Sequence, residues 1–152
     1  MYSIEIEAHT SATPELVNEL IQLSQQVTEL DSGLTLADFN ARMLDTQALI
    51  LLARVEGELA GFKLGYALGS DTFYSWLGGV QADFRRLGLA KEMLLYQEKW
   101  AKAQGFSQIH VKTRNCYPAM INMLISNQYQ IADLVADSQN LSKNKLYLQK
   151  RV

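Results

Sequence analysis

The fold of this chain is decided by residues 78–90, GGVQADFRRLGLA. A run rich in aromatic and branched residues at 73–80 leads into this stretch and predicts a strand. Apolar residues at helical spacing run from Leu87 to Ala101 and predict a helix that ends near Gly105. Free backbone N–H groups at the start of a helix bind anions, and glycine lets an anion approach closely. The order of strand, turn and helix therefore predicts a phosphate-binding turn.

Composition sets the class of protein. The chain has 152 residues, a formal net charge of -2 and one cysteine. This length gives one good hydrophobic core, so we expect a single domain over 1–152. The mild negative charge argues against a nucleic acid partner. No run of apolar residues reaches membrane-spanning length and the start does not resemble a signal peptide, so we expect a cytoplasmic protein without a membrane partner.

The local charge and the few metal-ligating residues restrict the class of ligand that the chain is expected to bind. Arg85, Arg86 and Lys91 cluster at the turn, which on a mildly acidic protein favours a small anionic ligand. Cys116 stands alone, which excludes an internal disulfide. With only two histidines in the chain, we expect no metal site.

The remaining patterns predict a mixed α/β domain. They indicate a strand at 3–8, a helix from Thr13 to about Leu30, a short helix from Thr35 to Leu44, strands at 48–55, 59–68 and 73–80, the helix after the turn, a strand at 107–115, a helix at 118–127, and strands at 129–135 and 145–149. The fourth and fifth strands are joined by a helix and are therefore expected to be parallel.

Residues 80–90 resemble the acetyl-CoA signature of the Gcn5-related N-acetyltransferases (GNAT), whose core is Arg or Gln, two residues, Gly, one residue, then Gly or Ala. Arg85, Gly88 and Ala90 hold these positions. A second motif of the family, a strand ending in Asn and followed by a short helix, is similar to 109–129. The resemblance implies the GNAT fold: a mostly antiparallel sheet with a splayed, parallel pair of fourth and fifth strands, and about four helices.

The same resemblance implies the activity and the cofactor site. It implies transfer of an acetyl group from acetyl-CoA to a primary amine by direct attack in a ternary complex. Backbone amides and arginines of the turn would hold the pyrophosphate, and the pantetheine arm would lie along the fourth strand. The implied cofactor-binding residues are Leu77, Gly79, Val80, Arg85, Arg86, Leu87, Gly88, Leu89, Ala90 and Asn115.

The proton transfers are where this chain departs from the family. Many members carry a glutamate base on the fourth strand and a tyrosine acid in the last helix, and the aligned residues here are Ser75 and Leu124. We therefore expect either an acceptor amine of low pKa or a water relay through Ser75 to Glu29 or Asp31. Tyr117, seven residues before Leu124, is the best substitute acid.

Several alternatives stay open. The pair at 78–79 could be a plain bulge, and Asn115 could cap the following helix. Tyr74 and Trp76 are expected in the core, with lining of the acceptor pocket as the alternative. The acceptor, a small-molecule or peptide amine, is expected between the first two helices and the end of the fourth strand. A weak acyl-CoA-binding or sensor module and a protein-interaction domain are the rival functions, and the chain could form a homodimer.

Overall fold

The computed structural model describes residues 2–27 and 33–152. The elements follow the predicted order, with two short 3-10 helices added at Ala82–Phe84 and Leu141–Lys143. The helices are α1 (Pro14–Gln25), α2 (Leu36–Met43), α3 (Leu89–Ala103) and α4 (Pro118–Ser126). The strands are β1 (Ile4–His9), β2 (Ala48–Val55), β3 (Glu58–Ala67), β4 (Thr72–Val80), β5 (Gln108–Arg114), β6 (Gln130–Val135) and β7 (Lys145–Arg151).

The strands form one mixed sheet in the order β1-β2-β3-β4-β5-β7-β6. β1 pairs antiparallel with β2, and β2 with β3. β4 and β5 are parallel, with the register running from Thr72 opposite Gln108 to Ser75 opposite Val111. β7 pairs antiparallel with both β5 and β6. The predicted α/β class and the parallel fourth and fifth strands are confirmed.

Two compact units make up the chain. The first contains Met1–Ala67 and Trp76–Gln97, and the second contains Leu68–Ser75 and Glu98–Val152. The first unit thus holds β1 to β3, α1, α2 and the end of β4, and the second holds β5 to β7 and α4. The single domain over 1–152 stays a prediction. No helix in the described ranges is long and apolar enough to cross a membrane.

The starts of the first two helices follow the signals in the sequence. The Thr13 hydroxyl accepts from the Leu16 N–H at 3.2 Å, and proline occupies the first turn of α1. The Thr35 hydroxyl accepts from the Asp38 N–H at 3.1 Å at the start of α2. The N-cap hydrogen bonds of Thr13 and Thr35 therefore fix where both helices begin.

The predicted end of the first helix, near Leu30, is wrong by about five residues. α1 ends at Gln25, and the Gln26 N–H closes the last turn on the Leu23 carbonyl at 3.0 Å. Val27 then leaves the helical path and is buried in the core of the first unit, with 3% of its surface exposed. Leu30 lies outside the described residues.

The C-terminal end of α3 is a Schellman motif. The Phe106 N–H donates to the Ala101 carbonyl at 3.0 Å and the Gly105 N–H to the Lys102 carbonyl at 3.1 Å. Gly105 has a φ of 95°, which glycine adopts without strain. The predicted stop at Gly105 is confirmed.

Gln97 is a buried polar residue on α3 without side-chain hydrogen bonds. Its side chain is fully buried, and among the described residues neither its amide oxygen nor its amide nitrogen has a hydrogen-bond partner. A buried unpaired polar group costs about 1 to 3 kcal/mol. Gln97 therefore opposes folding at its position.

Replacing Gln97 with methionine is expected to raise the free energy of unfolding by about 1 to 3 kcal/mol, because methionine keeps the length of the side chain and removes the unpaired amide. Urea denaturation measures the change. Gln22→Met on the exposed face of α1 is the matched control and should shift stability by less than about 0.5 kcal/mol. A destabilised Gln97→Met variant would contradict the expectation.

Candidate functional site

The turn between β4 and α3 has an unusual backbone. Arg86 and Gly88 adopt positive φ angles of 65° and 80° on either side of Leu87. Alternation of left-handed and right-handed residues turns successive N–H groups toward one side and makes a concave anion-binding surface. The turn thus holds two residues with positive φ angles, and its role as a phosphate site stays a prediction.

Hydrogen bonding leaves the donors of this turn available. In the described part of the chain, no hydrogen bond takes the backbone N–H of any residue from 86 to 91 as donor. The first helical bond of α3 runs from the Glu92 N–H to the Gly88 carbonyl at 3.0 Å. The unpaired N–H groups lie at the positive end of the α3 dipole, which favours an anion.

Neighbouring residues fix the turn in place and give it positive charge. The Gln81 N–H donates to the Ala60 carbonyl of β3 at 2.8 Å, and the Gln81 amide to the Gln26 side-chain oxygen at 2.5 Å. The Arg85 Nε donates back to the Val80 carbonyl at 3.4 Å. Arg86 is exposed. Hydrogen bonds of Gln81 to Ala60 and Gln26 therefore hold the turn in place, and its arginines give it positive charge.

Arg86 offers a way to separate binding from stability. A residue other than glycine in the left-handed region costs roughly 1 kcal/mol, so Arg86→Gly is expected to keep or raise the free energy of unfolding. It also removes one positive charge, and binding of a coenzyme A ligand should weaken by about threefold to tenfold. Thermal unfolding and calorimetric titration measure the two effects. A variant that lost stability and bound as well as the wild type would contradict both expectations.

The glycines beside the turn are required by packing within the protein. A Cβ on Gly61 would lie 3.0 Å from the Gly79 carbonyl oxygen, and one on Gly78 would lie 3.0 Å from the Phe62 carbonyl oxygen. A Cβ on Gly79 would lie 2.7 Å from a methyl carbon of Val27. The predicted close backbone approach at 78–79 is thus present on the β3 side, and the side chain of Val27, which follows α1, packs on Gly79.

The end of β4 packs on the core of the first unit. Trp76 packs on the core cluster that contains Val27, and its ring meets Tyr66 edge-on with centroids 6.1 Å apart. Gly79 also faces Val27. The end of β4 thus packs closely on this cluster, and a bulge at 78–79 stays a prediction.

The sequence predicts Ser75 as a relay, and the structure places it in β4. Ser75 is buried and lies opposite Val111 in the parallel ladder. Glu29 and Asp31, the carboxylates of the predicted relay, lie outside the described residues. Leu124 is 1% exposed on α4 and supplies no proton. The relay through Ser75 stays a prediction.

Asn115 and Tyr117 follow β5. The Asn115 amide donates to the Leu141 carbonyl at 3.0 Å. The suggestion that Asn115 caps the next helix is wrong, because Tyr117 holds the N-cap position of α4 without a side-chain capping bond. Tyr117 is half-buried. Both residues belong to the second unit, and their roles at the site stay predictions.

A second tyrosine close to α4 is held in a structural network. The Tyr129 hydroxyl donates to Glu98 at 3.0 Å, and the Lys150 ammonium donates to the same carboxylate at 2.8 Å. Burial, followed by the negative charge of Glu98, raises the pKa of Tyr129 well above its usual range. Tyr129 is therefore a poor proton donor, and Tyr117 keeps its place as the candidate acid.

Sequence reasoning missed a cluster around Arg42. This residue lies in the last turn of α2, its guanidinium donates to the Tyr66 hydroxyl at 2.7 Å, and its Cζ is 4.8 Å from the centre of the Trp76 ring. The three residues come from α2, β3 and β4, and no local motif connects them. The ring of Trp76 is half-buried, and the exposed guanidinium of Arg42 stacks on it.

Comparison with known proteins identifies the family. The model of the acetyltransferase (GNAT) family matches residues 15–124, which is more than half of the chain. The chain therefore belongs to the GNAT family, and it is an acyltransferase.

Individual relatives agree with this assignment. An acetyltransferase of Pectobacterium atrosepticum is 29% identical over 110 residues, which cover 72% of this chain and 77% of that protein. The ribosomal-protein-S18-alanine N-acetyltransferase of Escherichia coli has a TM-score of 0.80 at 14% identity, covering 99% of this chain and 94% of that one. A GNAT acetyltransferase of Elizabethkingia anophelis, solved with acetyl-CoA bound, has a TM-score of 0.71 at 17% identity, covering 98% of each. These structures share the fold.

Proposed function

We propose that this acyltransferase transfers an acetyl group from acetyl-CoA to a primary amine by direct attack in a ternary complex. The observation that carries the proposal is the turn at 86–91, whose backbone N–H groups are unpaired within the described residues and lie at the start of α3. The related structure with acetyl-CoA bound supports the same donor here.

A pyrophosphate fits the residues of the turn. Its oxygens would accept from the backbone N–H groups of 86–91, and the side chains of Arg85, Arg86 and Lys91 would add charge. When bound, acetyl-CoA would supply an activated acyl group as a thioester. Val80, Gly79 and Leu77 would accompany the pantetheine arm, with Asn115 contributing from the loop after β5, as the family resemblance implies.

A backbone N–H near Gly79 or Val80 would stabilise the oxyanion that forms on the acyl group. One such donor contributes about 3 kcal/mol to catalysis. The glycines allow the backbone to lie close to its neighbours at this point, as the contacts of Gly61 and Gly79 illustrate.

The protonation of the acceptor decides how much catalysis is needed. A lysine-like amine with a pKa of about 10.4 needs roughly 4.6 kcal/mol to lose its proton at pH 7. An α-amine with a pKa near 8 needs only about 1.4 kcal/mol, because its pKa lies about one unit above the pH. Protonation of the leaving thiolate, whose thiol form has a pKa of about 8.5, contributes only about 2 kcal/mol at pH 7. Because Ser75 and Leu124 replace the usual base and acid, we propose an acceptor amine of low pKa, with Tyr117 as the candidate acid.

Both peptide and small-molecule acceptors have support among the similar structures. One is named for the alanine of ribosomal protein S18, and two others are named aminoglycoside 6'-acetyltransferases. We further propose a cytoplasmic enzyme that uses no metal and binds neither nucleic acid nor membrane. Formation of a homodimer stays a prediction.

Release of free thiol from acetyl-CoA across a panel of amines tests the proposal. We expect turnover with α-amines to exceed that with ε-amines at pH 7, and Tyr117→Phe to lower kcat by about tenfold or more. A Tyr117→Phe variant with full turnover would remove the tyrosine from the mechanism. Failure to bind coenzyme A would overturn the proposal as a whole.

A catalytically weak acyl-CoA sensor is the second candidate. It is favoured by one observation, the buried Leu124 at the position of the usual acid. Tight binding of acetyl-CoA without thiol release for any amine would support the sensor and contradict the transferase.

A further inference from the structure

We infer that Arg42 determines acceptor specificity and selects amines that also carry a carboxylate group. This inference rests on the proposed function, because it describes the acceptor of that reaction. It starts from the guanidinium of Arg42, which two aromatic side chains hold in place.

The aromatic contacts give the guanidinium one orientation. Its Nη1 donates to the Tyr66 hydroxyl at 2.7 Å, and its Cζ lies over Trp76 at 4.8 Å from the ring centre. The rings of Tyr66 and Trp76 meet edge-on at an angle of 69°. Stacking and a hydrogen bond together pre-organise an arginine for recognition of a planar anion.

The charge of Arg42 is not neutralised within the described ranges. Asp38 precedes it by four residues on α2, a spacing at which salt bridges commonly form. No ion pair among the described residues includes Arg42, and its hydrogen bond to Tyr66 uses one of five side-chain N–H donors. Within the described ranges the arginine thus forms no ion pair with Asp38, and most of its donors are available for a ligand.

Arg42 also lies beside the strand that leads to the turn. From Val80, which adjoins the turn, β4 runs back to Trp76 over roughly 13 Å at the usual rise of a strand. With the pyrophosphate at 86–91 and the acyl oxygen held near Gly79 or Val80, the guanidinium stacked on Trp76 lies roughly 10 to 13 Å further back along the strand. An acceptor whose carboxylate and amine are separated by several bonds would span this distance.

A carboxylate is the anion that this arrangement suits. The guanidinium presents parallel N–H groups that match the two oxygens of a carboxylate. Such a charge-assisted contact typically changes affinity by roughly tenfold or more. The acceptor would place its amine at the thioester and its carboxylate on Arg42.

A series of ω-aminocarboxylates of increasing chain length, each paired with its carboxamide, tests the inference without knowledge of the natural acceptor. At the best chain length, and with kcat/KM expressed per unprotonated amine because acid and amide differ in amine pKa, the wild type should acetylate the carboxylate roughly tenfold better than the amide. Arg42→Gln should remove this preference by raising KM for the carboxylate, with kcat and the KM for acetyl-CoA unchanged. Arg42→Lys, which keeps the charge and loses the planar fork, should recover only part of the preference.

Arg151→Gln, an exposed charge loss on β7, is the control and should keep the preference of the wild type. Equal kcat/KM per unprotonated amine for acids and amides, or a preference that Arg42→Gln leaves unchanged, would overturn the inference. Phosphorylethanolamine preferred over every aminocarboxylate would overturn the choice of carboxylate in favour of phosphate.

The failure of the proposed function gives a different result. If no amine is acetylated although acetyl-CoA binds, transfer is contradicted, and Arg42 is then tested by thermal shift with the aminocarboxylates in the presence of coenzyme A. Stabilisation that the wild type shows and Arg42→Gln loses supports the inference, and its absence overturns it.

Discussion

Replacing Gly79 with alanine is expected to lower the free energy of unfolding by about 1 to 3 kcal/mol, because overpacking a well-filled core displaces side chains and backbone. The new Cβ would lie 2.7 Å from one methyl carbon of Val27 and 3.1 Å from the other. Val27 is branched at Cβ and only 3% exposed, so it has little freedom to move away. Urea denaturation of the wild type and the variant measures the loss.

Two further variants show whether the loss comes from this contact. Gly69→Ala is the matched control, since a Cβ there would have no atom of the described residues within 4 Å, and its effect should be within about 0.5 kcal/mol. In a Gly79→Ala and Val27→Ala double variant, the smaller side chain makes room for the Cβ, so the combined loss should be less than the sum of the single losses. Strict additivity would contradict the contact.

Replacing Gly88 with alanine is expected to weaken acetyl-CoA binding by about tenfold or more. Gly88 has a φ of 80°, and an alanine held in this region costs about 1 to 2 kcal/mol. If the backbone relaxes to relieve that strain, the N–H groups of the turn no longer point to one side. If it does not relax, the cost remains as lost stability. Calorimetric titration with acetyl-CoA measures the affinity.

Gly57→Ala provides the control for this prediction. Gly57 lies in the turn between β2 and β3 and has a φ of 84°. As at Gly88, the Cβ of an alanine there would meet no atom of the described residues within 4 Å. Both variants should lose about 1 to 2 kcal/mol of stability, and only Gly88→Ala should lose affinity. Equal affinities in the two variants would contradict the expected loss of affinity at Gly88.

The strands could be predicted from the sequence because each is a short run with regular side-chain alternation or continuous apolar character. The strand at 48–55 has the same bounds in the prediction and in the structure. The end of α1 could not be predicted, because Val27 continues the apolar pattern of the helix while the chain turns to pack on Gly79. Tertiary packing overrides local periodicity at that point.

The turn was also accessible to sequence reasoning, since its glycine and its place between a strand and a helix are local features. The residues that pack on the glycine pair at 78–79 could not be predicted, because glycines in a strand indicate a close contact but do not identify the residue that makes it. Arg42, Tyr66 and Trp76 meet only through the fold. Gln97 lies at helical spacing between Met93 and Ala101, both buried, so that pattern could have found it.

The claim that residues 86–91 bind the pyrophosphate is tested most directly by NMR of the backbone amides during titration with acetyl-CoA. The amide signals of 86–91 should shift and their hydrogen exchange should slow, while Gly57 and Gly105, which also have positive φ angles, should not change. Pantetheine, which lacks the pyrophosphate, should leave the turn unaffected. Saturation with acetyl-CoA that leaves the amides of 86–91 unshifted would contradict the claim.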